Sequence, residues 1–349
     1  MHAILLYCIL TPKFIYFIET IRVKSFLLML NALCLVFASQ MSYARHAAIL
    51  IDANNGNVLH EVDAKHAWYP ASLTKLMTLY VTFDALSNQQ IHLHDVMRTS
   101  EHASDQPNSK LGLHHGEHLT VEEAILAIIT RSANDATVVL AEHLAVTEDN
   151  FAVRMTAKAH SMGMYNTYFM NATGLPNDWQ VTTARDMAVL AWKIQKQFPE
   201  YYSYFAAHSF QFKGREWQGI NKFTATYEGA EGMKTGFTCA SGYNLISAAT
   251  QQGRHLIGVV LGGHTSVERY NLMINQMNHG FAGDYAVQGN INTMATSNAG
   301  IPPHQLECGG GAVHVEEHES THHKSHRGKG RSLAKSTKLK PRHVRHAHH

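Results

Sequence analysis

Ser72-Leu73-Thr74-Lys75 places a hydroxyl and an amine three residues apart. On a helix, positions i and i+3 share a face, so the two groups come within reach of each other. A serine hydroxyl is a poor nucleophile until a base takes its proton. A lysine serves as that base when burial or neighbouring cations lower its pKa. The pattern alone is unspecific, because Ser332-Leu333-Ala334-Lys335 repeats it in a basic segment where no chemistry is expected. Two further triplets accompany it. Ser132-Ala133-Asn134 stands at the predicted junction of two helices, where side chains project into a cleft; its ordinary role would be to cap the second helix. Lys234-Thr235-Gly236 lies in a predicted strand. There the glycine leaves room for another backbone, and the lysine offers a positive charge to a carboxylate.

The elements that must position these residues are legible from pattern. The apolar run His46–Asp52, a turn over Ala53-Asn54-Asn55-Gly56 and the alternating run Asn57–Val62 predict a β-hairpin. Pro70 precedes a helical pattern over 72–86, with Leu73, Leu76, Met77, Tyr80 and Phe83 at helix spacing. Thr120 and Glu123 form a capping-box signature for a helix running to about Thr130. Further helices are expected over 134–145, 148–162 and 182–197, the last started by Thr182 or Thr183 with Asp186. Strand-like runs follow at 209–213, 233–238, 243–249 and 255–261, and a helix over 267–279 closes the domain. Strands at both ends with helices between them predict an α/β fold with a mixed, mainly antiparallel sheet of about five strands beside a helical cluster.

In this order the three motifs match the Ser-x-x-Lys, Ser-x-Asn and Lys-Thr-Gly signature of penicillin-binding proteins and class A β-lactamases. The chain resembles the low-molecular-mass D-alanyl-D-alanine carboxypeptidases. The likeness extends through Pro70-Ala71-Ser72-Leu73-Thr74-Lys75-Leu76-Met77-Thr78, Ser132-Ala133-Asn134-Asp135-Ala136, Thr173-Gly174-Leu175-Pro176 and Thr183-Ala184-Arg185-Asp186-Met187. It continues through Gly232-Met233-Lys234-Thr235-Gly236-Phe237-Thr238, Ser241-Gly242-Tyr243-Asn244-Leu245 and Val259-Val260-Leu261-Gly262. It covers roughly residues 45–285 and implies the penicillin-recognising fold.

The resemblance implies that Ser72 attacks a peptide carbonyl and becomes acylated, that Lys75 is the base, and that Ser132 relays the proton to the leaving amine. It implies that Asn134 holds the substrate amide, that Lys234 with Thr235 holds the terminal carboxylate, that Gly236 and Phe237 also belong to the substrate-binding strand, and that Arg269 stands near the carboxylate. The backbone N–H groups of Ser72 and Phe237 would form the oxyanion hole. The implied substrates are peptidoglycan stem peptides, with β-lactam antibiotics as covalent inhibitors. Endopeptidase action on cross-links and a non-catalytic wall-binding role on the same scaffold stay open as alternatives. A β-lactamase is disfavoured because no Glu-x-x-x-Asn loop is found. Glu231 stands where the family often has an acid, and Cys239 is a departure from its pattern. Among the histidines of residues 45–285, His114, His115 and His118 included, no HExxH or comparable ligand spacing supports a catalytic metal, so neither metal nor cofactor is expected, and no nucleic acid.

The two ends of the 349-residue chain are of different material. Residues 1–44 carry Arg22 and Lys24 before an apolar run from Phe26 to Phe37 and then Ser42-Tyr43-Ala44, which describes a secretory signal peptide. The stretch ahead of Val23 reads as an over-extended start. Secretion across the inner membrane, to the periplasm or cell envelope, is expected. Residues 286–349 are expected to be a low-complexity tail without packed structure. From Ser320 onward it holds nine Lys or Arg and no acid, a composition that cannot bury enough apolar surface to offset ordering entropy. The tail takes most of the basic excess, leaving residues 45–285 as one near-neutral domain, and its expected partners are anionic polymers or lipids. Of the four cysteines, Cys239 and Cys308 follow the leader; a bridge between them stays open, but they are expected to be free thiols because Cys308 sits in a Gly-rich stretch.

Overall fold

The run Ala47–Ile51 is apolar at every position because both faces of its strand are covered. Ala47, Ile49 and Ile51 pack with the helical cluster, whereas Ala48 and Leu50 pack with Met273 and Met277 on the opposite face. Period-two alternation divides the side chains of one strand between two cores. In the computed structural model, which describes residues 46–296 and 299–303, this strand is β1 (Ala47–Asp52). It is followed by β2 (Asn57–Val62), α1 (Lys75–Ser87), β3 (Val96–Arg98), α2 (Glu101–Ser104), β4 (His118–Thr120), α3 (Val121–Arg131), α4 (Asn134–Ala145), α5 (Glu148–Ser161), α6 (Ala184–Gln197) and α7 (Pro199–Tyr202). Then come β5 (Ser209–Phe212), β6 (Arg215–Gln218), α8 (Lys222–Thr226), β7 (Ala230–Thr238), β8 (Gly242–Gln251), β9 (Arg254–Gly263), α9 (Ser266–Ala282) and β10 (Gly289–Asn290).

The main sheet has the order β10-β2-β1-β9-β8-β7, and each described pairing is antiparallel. It therefore joins the N-terminal hairpin to the late β7-β8-β9 meander, and places β7 at an edge. Helices α1 and α3 to α6 cover one face and α9 covers the other. Helix α1 is buried nearly all round, from Lys75 to Leu86 with only Asp84 partly exposed, as befits a helix at the centre of a cluster.

Local signals act as expected at several helix starts. Thr120 and Glu123 form the capping box of α3, and the side chain of Thr183 accepts from the N–H of Asp186 to begin α6. Other expectations are corrected. The strand expected at 209–213 is β5, but it pairs only with β6 in a separate ribbon. The helix expected from Ser72 begins with a 3₁₀ turn, Ala71–Thr74, and becomes α-helical at Lys75. Packed chain continues past residue 285: β10 pairs with β2, Ile291 is fully buried, and Ala67 N–H donates to Ala299 O. Cys239, in the β7–β8 turn, is not a free thiol. It is disulfide-bonded, and its partner sulfur lies outside the described residues. Spacing along the chain does not reveal which distant segment a turn meets. The leader, Cys308 and the basic tail also lie outside the described residues.

Candidate active site

Three backbone features bring the motifs together. The 3₁₀ turn carries Ser72 at the entrance of α1, following Ala71 with φ +48°. Helix α3 ends at Ser132, which takes a left-handed conformation with φ +57°. Such conformations cost of order 1–3 kcal/mol for non-glycine residues and cluster at functional sites. Edge strand β7 supplies Lys234, Thr235, Gly236 and Phe237. Gly236 permits the closest approach: a Cβ there would lie 3.1 Å from Ser72 N and 3.2 Å from Leu73 N. The glycine thus makes room for the turn that bears Ser72.

Lys75 Nζ donates to Ser72 Oγ at 3.1 Å and to the carbonyl of Thr173 at 2.6 Å. The amine is fully buried. Burial, and then the nearby charge of Lys234, push its pKa well below the usual lysine value, against weaker opposing effects of Glu148 and Asp135. An amine with its pKa so lowered, set on a serine hydroxyl, is the arrangement that general-base activation of that hydroxyl needs. On the other side, Lys234 Nζ donates to Ser132 Oγ at 2.8 Å and to the carbonyl of Thr235 at 2.9 Å. The Ser132 hydroxyl is therefore committed to β7 and does not cap α4, whose N-cap position falls at Ala133 without a side-chain bond. Asn134, also buried, donates from Nδ2 to Pro107 O at 2.8 Å, and its N–H donates to Ser109 O at 2.7 Å. Its carboxamide oxygen is the end able to accept from a substrate N–H.

Arg269 sits at the start of α9, buried, with its guanidinium 5.6 Å from the Tyr243 ring centroid and 4.3 Å from that of Tyr270. It donates to Asn244 O and Ser266 Oγ, both at 3.3 Å. Its link to β7 runs through Tyr243, whose ring lies 4.2 Å from that of Phe237. The arginine is thus one strand removed from Thr235.

Several supporting residues escape sequence reasoning. Asp135, fully buried, accepts from the N–H groups of Leu111, Gly112 and Leu113 at 2.8–3.0 Å. It thereby holds the loop whose carbonyls bind Asn134. Glu148 accepts from Ala172 N at 2.9 Å and fixes the segment that offers Thr173 O to Lys75. Gly174, with φ +86°, has the Ala71 carbonyl 1.9 Å from where a Cβ would stand. The Thr173-Gly174-Leu175-Pro176 segment is visible in the sequence, but a carbonyl acceptor has no residue signature.

The comparisons agree with this geometry. The family model described as D-alanyl-D-alanine carboxypeptidase matches residues 36–265. The chain is 34% identical over 245 residues to D-alanyl-D-alanine carboxypeptidase DacF of Bacillus subtilis, covering 68% of this chain and 62% of the relative. It is 35% identical to DacC of Escherichia coli, covering 67% and 60%. Among solved structures, penicillin binding protein 5 from Haemophilus influenzae superposes with a TM-score of 0.65 at 34% identity, covering 68% of this chain and 70% of that one. Penicillin-Binding Protein D2 from Listeria monocytogenes, in its cefotaxime-bound form, gives 0.63 at 28% identity and covers 68% and 98%. The chain spans about three fifths of the length of the curated relatives it matches. With the three motifs assembled at one edge of an antiparallel sheet, and two thirds of its length matching, the chain belongs to the D-alanyl-D-alanine carboxypeptidase family.

Proposed function

We propose that the protein is a serine DD-carboxypeptidase that removes the terminal D-alanine from peptidoglycan stem peptides. The observation that carries this reading is the buried Lys75 amine on Ser72 Oγ, with its pKa held well below the usual lysine value. Ser72 Oγ attacks the penultimate carbonyl while Lys75 takes the hydroxyl proton. The developing oxyanion is met by the N–H groups of Ser72 and Phe237, an arrangement that typically contributes a few kcal/mol. Ser132 passes a proton to the leaving nitrogen, D-alanine departs, and water hydrolyses the ester to restore Ser72. Lys234 and Thr235 receive the substrate carboxylate at the edge of β7, where the unpaired side of the strand suits an extended peptide. The cefotaxime- and ampicillin-bound forms of the Listeria relative support β-lactams as inhibitors here.

Incubation with a pentapeptide ending in D-alanyl-D-alanine, followed by product analysis, tests the reading. Release of one D-alanine per peptide is expected. Cleavage of a cross-linked dimer with no attack on the pentapeptide would favour the endopeptidase alternative, and no turnover of either would favour a wall-binding role.

We also propose secretion to the periplasm or envelope, supported by the leader pattern of residues 1–44, and an electrostatic tether in the tail, supported by its nine cations without an acid after Glu319. Each cation near an anionic membrane contributes about 1 kcal/mol. Truncation after Ile301 is expected to weaken low-salt binding to anionic vesicles while leaving pentapeptide cleavage unchanged; equal binding would refute the tether.

A further inference from the structure

Arg131 immediately precedes Ser132, and its guanidinium lies 5.4 Å from the ring centroid of Trp217 on β6. Arg215, two residues earlier on the same strand, places its own guanidinium 4.3 Å from that centroid. The two cations therefore share one indole and lie within about one Debye length of each other at 0.1 M salt. Among the described residues neither takes part in an ion pair. The nearby cation Lys213 is paired with Glu117 at 2.7 Å, and Glu216 accepts from Ser209 Oγ.

The stack is built on a firm base. Phe210 and Phe212 of β5 are buried in the main core. The hairpin is tied to the end of α3 by Arg131 Nη1 donating to Gln218 O, and by Ile220 N–H donating to Thr130 O, both at 3.0 Å. Arg131 Nε and Trp217 Nε1 are buried within the stack and lack a hydrogen-bond partner. Arg215 is exposed, and Trp217 and Arg131 are half-buried. Two guanidiniums held together repel each other, and cation–π contacts at an exposed site return little against that repulsion. An anion resting on the pair removes that repulsion and accepts from the exposed Arg215 guanidinium.

We propose that the Arg131–Trp217–Arg215 stack is a carboxylate-binding subsite that selects peptide substrates carrying an acidic group upstream of the scissile bond. This rests on the carboxypeptidase reading above and specifies its substrate class. Consecutive Cα atoms are about 3.8 Å apart, so Arg131 begins one residue from the proton relay. An extended peptide advances about 3.4 Å per residue. An acidic residue two to four positions from the cleaved bond thus lies roughly 7–14 Å from it, within reach of a guanidinium anchored beside Ser132. Planar guanidinium forks fit carboxylates in paired hydrogen bonds.

The test uses two pentapeptides ending in D-alanyl-D-alanine that differ only by Glu or Gln at an internal position. The full-length protein is expected to prefer the Glu peptide by about tenfold in kcat/KM, mostly through KM, in line with a charged hydrogen bond. In Arg215→Gln the ratio should fall toward one, and Arg215→Lys should recover part of it. An unchanged ratio in Arg215→Gln would overturn the proposal. Because that assay depends on turnover, binding of the same peptides to Ser72→Ala is followed by tryptophan fluorescence. Tighter binding of the Glu peptide, lost in Ser72→Ala/Arg215→Gln, supports the subsite even if neither peptide is cleaved; equal binding of both refutes it. Absence of cleavage in the unmodified protein counts against the carboxypeptidase reading alone.

Discussion

Lys234 donates a 2.8 Å hydrogen bond to Ser132 Oγ across 102 residues of chain. This contact joins the end of α3 to edge strand β7; burial first, and then the charge of Lys234, lowers the pKa of Lys75. Lys234 thus touches one motif serine, and its charge acts on the lysine beside the other.

If Lys234 reads the free carboxylate, Lys234→Ala should damage cleavage of a pentapeptide more than cleavage of its C-terminal amide. Loss of a charged hydrogen bond costs about 1.5–3 kcal/mol, so a roughly ten- to hundredfold differential in kcat/KM is expected. Equal losses on both substrates would show that the lysine serves Ser132 and not the carboxylate.

The lowered pKa of Lys75 has a definite sign. The base is active when deprotonated, so kcat/KM should fall as pH drops through the free-enzyme pKa of Lys75, well below the ordinary lysine range. Removing the neighbouring charge with Lys234→Gln relieves one of the two causes that lower this pKa. The acid limb should then move to higher pH. A limb that stays in place would assign it to another group.

Gly236→Ala tests whether the approach of β7 to the Ser72 turn sets the proposed oxyanion hole. The added Cβ meets Ser72 N, Leu73 N and Pro70 O at 3.1–3.2 Å, so the neighbours must yield by a few tenths of an ångström. Loss of one oxyanion donor typically costs about 10²–10³ in rate. Acylation by penicillin should slow by that order while the thermal midpoint changes little. A large fall in the midpoint with normal acylation of the folded fraction would mean that the glycine serves packing alone.

Much of this site is legible in the sequence because its motifs are local. The i, i+3 spacing of Ser72 and Lys75 predicts a contact, and the structure has it at 3.1 Å. The capping residues Thr120 and Thr183 are read from short-range chemistry in the same way. What escaped depends on distant backbone. Thr173 O receives Lys75 because Glu148 pins the neighbouring residue, and nothing in the identity of Thr173 marks its carbonyl. The alternating residues of β5 predict a strand, but pairing with β6 and not with the main sheet is a long-range outcome. The disulfide at Cys239 and the packing of Ile291 against the core are of the same kind.

The most direct test of the account is the site of covalent labelling by a fluorescent penicillin, mapped by peptide mass spectrometry. A β-lactam presents its ring carbonyl to the same nucleophile, so a single adduct on Ser72 is expected in the unmodified protein and none in Ser72→Ala. Both Lys75→Ala and Ser132→Ala should label far more slowly. An adduct on another residue, Ser332 included, or labelling that survives Ser72→Ala, would contradict the assignment of Ser72 as the nucleophile.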